Sequence, residues 1–289
     1  MANLHGVCLA LQTPFNNNGS INYDRFAELI DGYIEAGVHG MVVSSGSGQH
    51  PYLTEDECNK LLAIAVKRID GRASVIMQTS ALNQDEVIRR SVAAQSLGAE
   101  ALMILPPFFE GPSHDAGILK FYETIDKAVS IDIIGYNIPA ATQVEVSPSL
   151  YRQLLELENF NYIKDSGGDL AKTQQLIAVG GRVLNGADTI APFAFMAGAV
   201  GAIWGGANFM PRECVELYDL VKANEYQKAM TLWAKMFPSL AYIWDNDYIP
   251  AVKAACRNMG FDGGTVRAPL TEISKESEAS LIQALAHLK

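Results

Sequence analysis

The sequence predicts an α/β fold, a (β/α)8 TIM barrel followed by a helical C-terminal extension. Three observations predict it. Eight apolar runs of strand length recur along the chain at intervals of roughly 25–35 residues over most of it, the period of a βα unit. Longer amphipathic stretches lie between them. The apolar runs lack clean apolar–polar alternation, as expected of parallel strands covered on both faces. A doubly wound sheet is the alternative. It would carry a Gly-rich dinucleotide turn after its first strand, and the turn over residues 12–20, QTPFNNNGS, is not G-x-G-x-x-G.

The first strand is expected at 6–11. The residues before it carry no basic n-region, and Pro14 and an asparagine cluster follow it at once, so it reads as a strand rather than a signal peptide. The first helix, 22–36, places Phe26, Leu29, Ile30 and Tyr33 on one stripe. The second strand is 40–44. The second helix, 54–68, opens with Thr54 and, three residues on, Glu57, a capping box. Strands at 74–78, 101–105, 131–136, 162–164 and 182–185 alternate with helices at 83–97, 114–129, 147–157, 169–179 and 190–198, and 201–204 is the eighth strand. Beyond it the pattern is wholly helical, at 211–223, 226–244, 249–259 and 274–288. The first of these closes the barrel. The chain thus divides into a barrel, 1–223, and an extension, 224–289, expected to pack on it because no Ser/Gly linker separates them.

Composition bounds the function. With 289 residues, 49% hydrophobic and 19% charged, the chain has material for a large core. A net charge of −10 argues against a general nucleic-acid binder, which needs a basic surface. No apolar run approaches the length of a membrane span. Cys8, Cys58, Cys214 and Cys256 form no CxxC pair and read as reduced, buried thiols of a cytoplasmic protein. His5, His39, His50, His114 and His287 show neither HxxxH nor HxxH spacing, so no metal site is expected.

In a barrel of this kind the chemistry sits at the carboxyl ends of the strands. The polar residues placed there are Thr13; Ser44, Ser45 and Ser47; Gln78, Thr79 and Ser80; Tyr136 and Asn137; Lys164, Asp165 and Ser166; Asn185 and Asp188; and Asn208. Lys164 ends an apolar run, so it points either into the barrel or into the helix layer, and both desolvate it. It is either ion-paired, to Asp165 or Asp188, or a Schiff-base nucleophile. An amine with a pKa of about 10.4 is only about 0.04% neutral at pH 7, and burial raises that fraction. Tyr136 ends the preceding strand, so the two side chains can meet. Tyr136 is either a core aromatic or a proton shuttle for the lysine's chemistry. The segment Ser44-Ser45-Gly46-Ser47-Gly48-Gln49 is either a plain turn or a nest of free N–H groups for a small carboxylate.

Four motifs resemble the dihydrodipicolinate synthase / N-acetylneuraminate lyase family of class I 2-keto-acid lyases, over almost the whole chain. Ser45-Gly46-Ser47-Gly48-Gln49 with Leu53-Thr54 resembles the family's G-T-T-G-E…L-T loop. Tyr136-Asn137-Ile138-Pro139 matches its Y-N-x-P. Lys164-Asp165-Ser166-Gly167-Gly168-Asp169 matches its K-D-S-x-G-D. Gly201-Ala202-Ile203 with Asn208 and Pro211 resembles its segment after strand eight.

The resemblance implies that Lys164 forms an imine with pyruvate or a longer 2-keto acid and that Tyr136 donates and accepts the proton. Ser47 and the Gly46–Gly48 backbone would hold the carboxylate, and the Ile203 backbone would lie against the pyruvoyl group. It implies no cofactor, since the protonated imine is the electron sink. It implies small-molecule partners, a 2-keto acid and an aldehyde, and a homotetramer built as a dimer of dimers.

Departures from the family pattern narrow the activity. The first hydroxyl of the T-T pair falls on Gly46, and the synthases' second tyrosine falls on Phe109, which removes their proton relay. The arginine that follows Y-N-x-P in the synthases falls on Ala141, and a buried carboxylate loses charge-assisted bonds of about 1.5–3 kcal/mol each there. Gln49 stands for the usual glutamate, and Trp204, larger than the usual residue, is expected to narrow or line the pocket. With Gly264-Thr265-Val266-Arg267-Ala268-Pro269-Leu270, these favour an aldolase of 4-hydroxy-2-keto acids, of sugar-acid or hydroxy-oxoglutarate type. A 2-keto-3-deoxy-sugar-acid dehydratase, dihydrodipicolinate synthesis and a non-catalytic keto-acid sensor are the alternatives.

Overall fold

The computed structural model describes residues 2–112 and 114–288; Met1 and Lys289, which bound the two expected segments, and Ser113 lie outside the described residues. Eight parallel strands, β1 (Gly6–Ala10), β2 (Gly40–Val43), β3 (Ser74–Gln78), β4 (Ala101–Ile104), β5 (Asp132–Asn137), β6 (Phe160–Asp165), β7 (Arg182–Asn185) and β8 (Gly201–Trp204), follow one another around a closed barrel. β1 pairs with both β2 and β8, which leaves no edge. The expected TIM barrel is therefore present, with strand boundaries within one or two residues of those read from the sequence.

The helices α1 (Tyr23–Glu35), α2 (Glu55–Ile69), α3 (Gln84–Ser96), α4 (Asp115–Asp126), α5 (Pro139–Thr142), α6 (Pro148–Leu154), α7 (Leu170–Ala178), α8 (Ala191–Ala197) and α9 (Pro211–Lys222) surround it. Asn22, Thr54, Asn83, Ser147 and Asp169 each accept a hydrogen bond from a first-turn N–H, satisfying groups the helix itself cannot. The Thr54–Glu57 capping box forms in both directions. α6 is shorter than expected because the chain tightens after Leu154 into turn bonds, from Glu156 N–H to Gln153 O and from Leu157 N–H to Leu154 O. The single turn of α5 was not foreseen, since four residues carry no readable period.

Side chains separate into two layers. Cys8, Ala10, Val42, Ile76, Met103 and Ile134 are among those filling the barrel interior, and a larger apolar cluster lies between strands and helices. In β6 the two layers switch. Ile133 of β5 is level with Phe160, but Ile134 is level with Tyr162, so Asn161 is an extra residue. Phe160 packs in the outer cluster, whereas Tyr162 packs inside the barrel. A period of two counted from Phe160 would send Lys164 outward; the bulge sends it inward.

The extension consists of α10 (Tyr226–Asp245), α11 (Tyr248–Asn258) and α12 (Lys275–Leu285). α10 packs on α9 and α12, and α11 packs on α12. Pro238 sits inside α10, which nevertheless continues because Trp233, Met236, Leu240 and Ile243 bury one stripe. Among the described residues no helix is long and apolar enough to cross a membrane. The four cysteines are buried and free.

The segment before α12 is clamped to the barrel by Arg267. Its guanidinium meets both carboxylate oxygens of Glu57 at 2.7 Å and also donates to Gly19 O and Tyr52 O. The bond from Arg267 holds the Glu57 carboxyl below its ordinary pKa. A depressed carboxyl stabilises the fold above its unfolded pKa, and that contribution is lost as pH falls. Glu57→Gln should therefore lower stability at pH 7 by about 1–3 kcal/mol. Denaturant titrations of the two proteins should converge as pH drops below about 4.

Candidate active site

The carboxyl ends of the strands surround a cavity of about 480 Å³, within the range of small-molecule sites. Lys164, Tyr136, Ser47, Gly46, Ser166 and Ile203 line it, so six of the residues singled out from the sequence converge. Gly48 does not. Its N–H donates to Ser45 Oγ (3.2 Å), and a Cβ there would stand 2.7 Å from Leu11 O. Gly48 lets the loop press against the end of β1, and Ser45 Oγ anchors the same loop to Leu11 O (3.1 Å).

Lys164 is only 5% exposed, and the register sets it level with Tyr136 on the adjacent strand. Its Nζ stands 4.1 Å from the centroid of the Tyr136 ring, a geometry in which the ring face attracts an ammonium. The two proposed ion-pair partners are engaged elsewhere. Asp165 accepts from Asn137 Nδ2 (2.9 Å), Thr173 Oγ1 (2.8 Å) and Gly167 N–H (3.3 Å). Asp188 accepts from the Tyr248 hydroxyl (2.7 Å) and Gly206 N–H (2.8 Å). Among the described residues Lys164 has no carboxylate within ion-pair distance.

Asp188 is fully buried, and burial pushes its carboxyl up; the Tyr248 hydrogen bond, Gly206 N–H and the Lys164 charge oppose that rise. Burial and the adjacent Asp188 push the Tyr248 phenol well above its usual range, while the Ser47 hydroxyl draws it down. Tyr248 lines the cavity from α11. The extension thus contributes a hydroxyl, and with Trp244 and Ile249 part of the wall, to a site otherwise made by the barrel.

Two glycines make room. A Cβ at Gly186 would fall 2.1 Å from Ser166 Oγ and 2.6 Å from Lys164 Cε; at Gly205 it would fall 1.9 Å from the Tyr248 hydroxyl. Sequence reasoning missed Tyr248, Gly186 and Gly205. The glycines follow the ends of β7 and β8 and were legible as strand-end glycines. Tyr248 sits in a helix far along the chain, and no motif marks it.

The departures fall at different depths. A Cβ at Gly46 would meet nothing within 4 Å, so the place of the missing hydroxyl is open. Phe109 is 77% exposed, with a left-handed φ of 55°, and does not line the cavity. Ala141 lines a second cavity of about 530 Å³, which shares Gly46, Tyr136 and Ile138 with the first. The expectation that Trp204 lines the pocket is corrected: Ile203 faces inward, so Trp204 points to the outer layer, where it meets Phe195 edge-on at 6.3 Å. Gln49 donates through Nε2 to Arg267 O and accepts from Arg267 N–H, both at 3.0 Å. A glutamate could accept but not donate there.

The model of the dihydrodipicolinate synthetase family matches residues 3–288. A 4-hydroxy-tetrahydrodipicolinate synthase of Exiguobacterium sp. is 32% identical over 284 residues, 97% of this chain and 96% of that protein. The crystal structure of dihydrodipicolinate synthase from Aquifex aeolicus superposes with a TM-score of 0.92 at 30% identity, covering 98% of this chain and 97% of the other. That of the chloride-inhibited enzyme from Acinetobacter baumannii, complexed with pyruvate, gives 0.95 at 28% identity, covering 98% of each.

The contact at Gly205 supplies a test of the geometry. Gly205→Ala should displace Tyr248 and lower stability by about 1–3 kcal/mol, the usual effect of overpacking. Pairing it with Tyr248→Phe, which removes the clashing oxygen, should restore part of that loss in thermal denaturation.

Proposed function

The chain belongs to the dihydrodipicolinate synthetase family, whose members are lyases and synthases working through a lysine–substrate imine, and within it we propose an aldolase that cleaves or forms the C3–C4 bond of 4-hydroxy-2-keto acids. Lys164 is the imine-forming amine and Tyr136 the proton donor and acceptor. The observation that carries this reading is the pair itself: a buried lysine without a carboxylate partner among the described residues, level with a tyrosine whose ring lies 4.1 Å away, both facing one cavity.

The Lys164 amine adds to C2 of the keto acid, and loss of water leaves a protonated imine. Tyr136 takes the proton of the C4 hydroxyl. The C3–C4 bond breaks, its electrons enter the imine to give an enamine, and the aldehyde leaves. C3 is then protonated and water hydrolyses the imine, releasing pyruvate and free Lys164. The iminium accepts the electrons, so no cofactor is proposed. Ser47 and the backbone of Gly46, on the loop shaped by Gly48, bind the carboxylate, and Ile203 backs the pyruvoyl group. Tyr248 adds a hydroxyl beside Ser47, steadied by Asp188. We further propose a cytoplasmic homotetramer, on the strength of the family resemblance.

The names of the relatives favour a second activity, dihydrodipicolinate synthesis. Against it stand the open space at Gly46 and the absence of a guanidinium at Ala141. A dehydratase would use the same imine but release no pyruvate.

Borohydride reduction in the presence of pyruvate should fix a pyruvoyl-sized adduct on Lys164, seen by mass spectrometry and absent in Lys164→Ala. A folded protein that gives no adduct overturns the reading. Tyr136→Phe should retain the adduct but lower kcat for cleavage by about 10²–10⁴-fold, the range lost with a general acid–base group.

A further inference from the structure

We propose that the aldehyde half of the substrate is apolar, an alkyl or aryl aldehyde rather than a sugar or a second carboxylate. This rests on the imine reading above and adds the class of the second reactant.

The cavity has two unlike ends. Ser47, Tyr136 and Ser166 are buried like Lys164, and with the half-buried Tyr248 they give enough polar groups for a carboxylate and a reacting oxygen. The exposed Ala140 and Trp244 and the half-buried Ile138 and Ile249 form the more open side. Among the described residues Lys164 is the sole charged side chain lining the cavity. A distal carboxylate would be desolvated there with no cation to meet it, and the hydroxyls of a sugar tail would face methyl groups and an indole. An aldehyde with an alkyl or aryl group loses nothing polar and covers apolar surface.

The polar groups of the adjoining cavity do not line the first. Its guanidinium, Arg90, is paired through one nitrogen with Glu86 on the same helix, and its Nε and Gln78 Oε1 are buried there without partners. Its histidine, His50, is bonded through one ring nitrogen to Ser44 Oγ (2.9 Å) and through the other to Ser80 O (2.7 Å). Trp244 completes the apolar mouth. It lies at the end of α10, packs against Gly168, where a Cβ would come within 3.4 Å of Cζ2, and remains 36% exposed. An indole left open at the rim of a site is a surface on which an aromatic ring can stack.

In the synthetic direction, C3 of the enamine on Lys164 attacks the aldehyde carbon and forms the C3–C4 bond. The carbonyl oxygen takes a proton from Tyr136, and water hydrolyses the imine to release the 4-hydroxy-2-keto acid. The aldehyde substituent then projects from C4 toward Ile138 and Trp244.

The full chain is given pyruvate with acetaldehyde, propanal, butanal or benzaldehyde, and in parallel with glyoxylate or D-glyceraldehyde. Expected is a kcat/KM that rises about fourfold per methylene along the alkyl series, with benzaldehyde ahead of both polar aldehydes. Trp244→Ala should lower the ratio of benzaldehyde to acetaldehyde use by about two- to tenfold. Glyoxylate or glyceraldehyde used in preference to the apolar aldehydes overturns this inference, as does a borohydride-trapped adduct on Lys164 with no aldehyde consumed. Absence of the adduct overturns it together with the imine reading.

Discussion

Everything proposed for this site depends on the direction in which Lys164 points, and one inserted residue in β6 sets that direction. Asn161 has no counterpart in β5, so Phe160 faces the helices while Tyr162 and Lys164 face the barrel axis. Without that insertion the lysine would lie among outer-layer apolar side chains, away from Tyr136. The bulge is held from both sides: Asn161 Nδ2 donates to Asp132 Oδ1 (2.6 Å), and the Tyr162 hydroxyl accepts from Leu4 N–H (3.1 Å) and donates to Ala2 O (2.8 Å). The N-terminal segment, which plugs the far end of the barrel, thereby helps to fix the strand that carries the lysine.

Once turned inward, the lysine meets an arrangement of charge that leaves it unpaired. Both nearby carboxylates accept from other donors, Asp165 from Asn137, Gly167 and Thr173 and Asp188 from Tyr248 and Gly206. A buried amine held by an ion pair would be a poor nucleophile, because the carboxylate favours the ammonium. Here Tyr136 presents a ring face, which attracts the cation without neutralising it. Asp188 also joins two parts of the molecule: its partner Tyr248 comes from α11, so the helical extension reaches into the barrel mouth. The same extension supplies Trp244 and Ile249, and through Arg267 it grips the loop that carries Ser47. The extension is thus part of the site wall as well as a cover for the barrel.

The departures from the family pattern divide by what surrounds them. Gly46 leaves open space in the cavity wall, and Gln49 exchanges two bonds with the Arg267 backbone that a glutamate could not both make. Ala141 places a methyl group in the adjoining cavity, and Ile138, Trp244 and Ile249 line the first beside it.

The sequence by itself determined the barrel, because eight apolar runs with amphipathic stretches between them have few ways to bury both faces of every strand. It also marked Lys164 and Tyr136, since motif residues at the ends of successive strands have to lie side by side in a closed sheet. What it could not determine was facing. Strand six was expected only at 162–164, too short to reveal the insertion at Asn161, and the two-residue period left both directions open for Lys164. The same limit misplaced Trp204, one residue beyond inward-facing Ile203. Tyr248 and Trp244 were beyond sequence reasoning for a different reason: they reach the site from the far end of the chain, and only the packing of α10 and α11 on the barrel brings them there. Period and spacing are local properties and are written in the chain; bulges, strand rotation and long-range docking are settled by how the whole surface is buried.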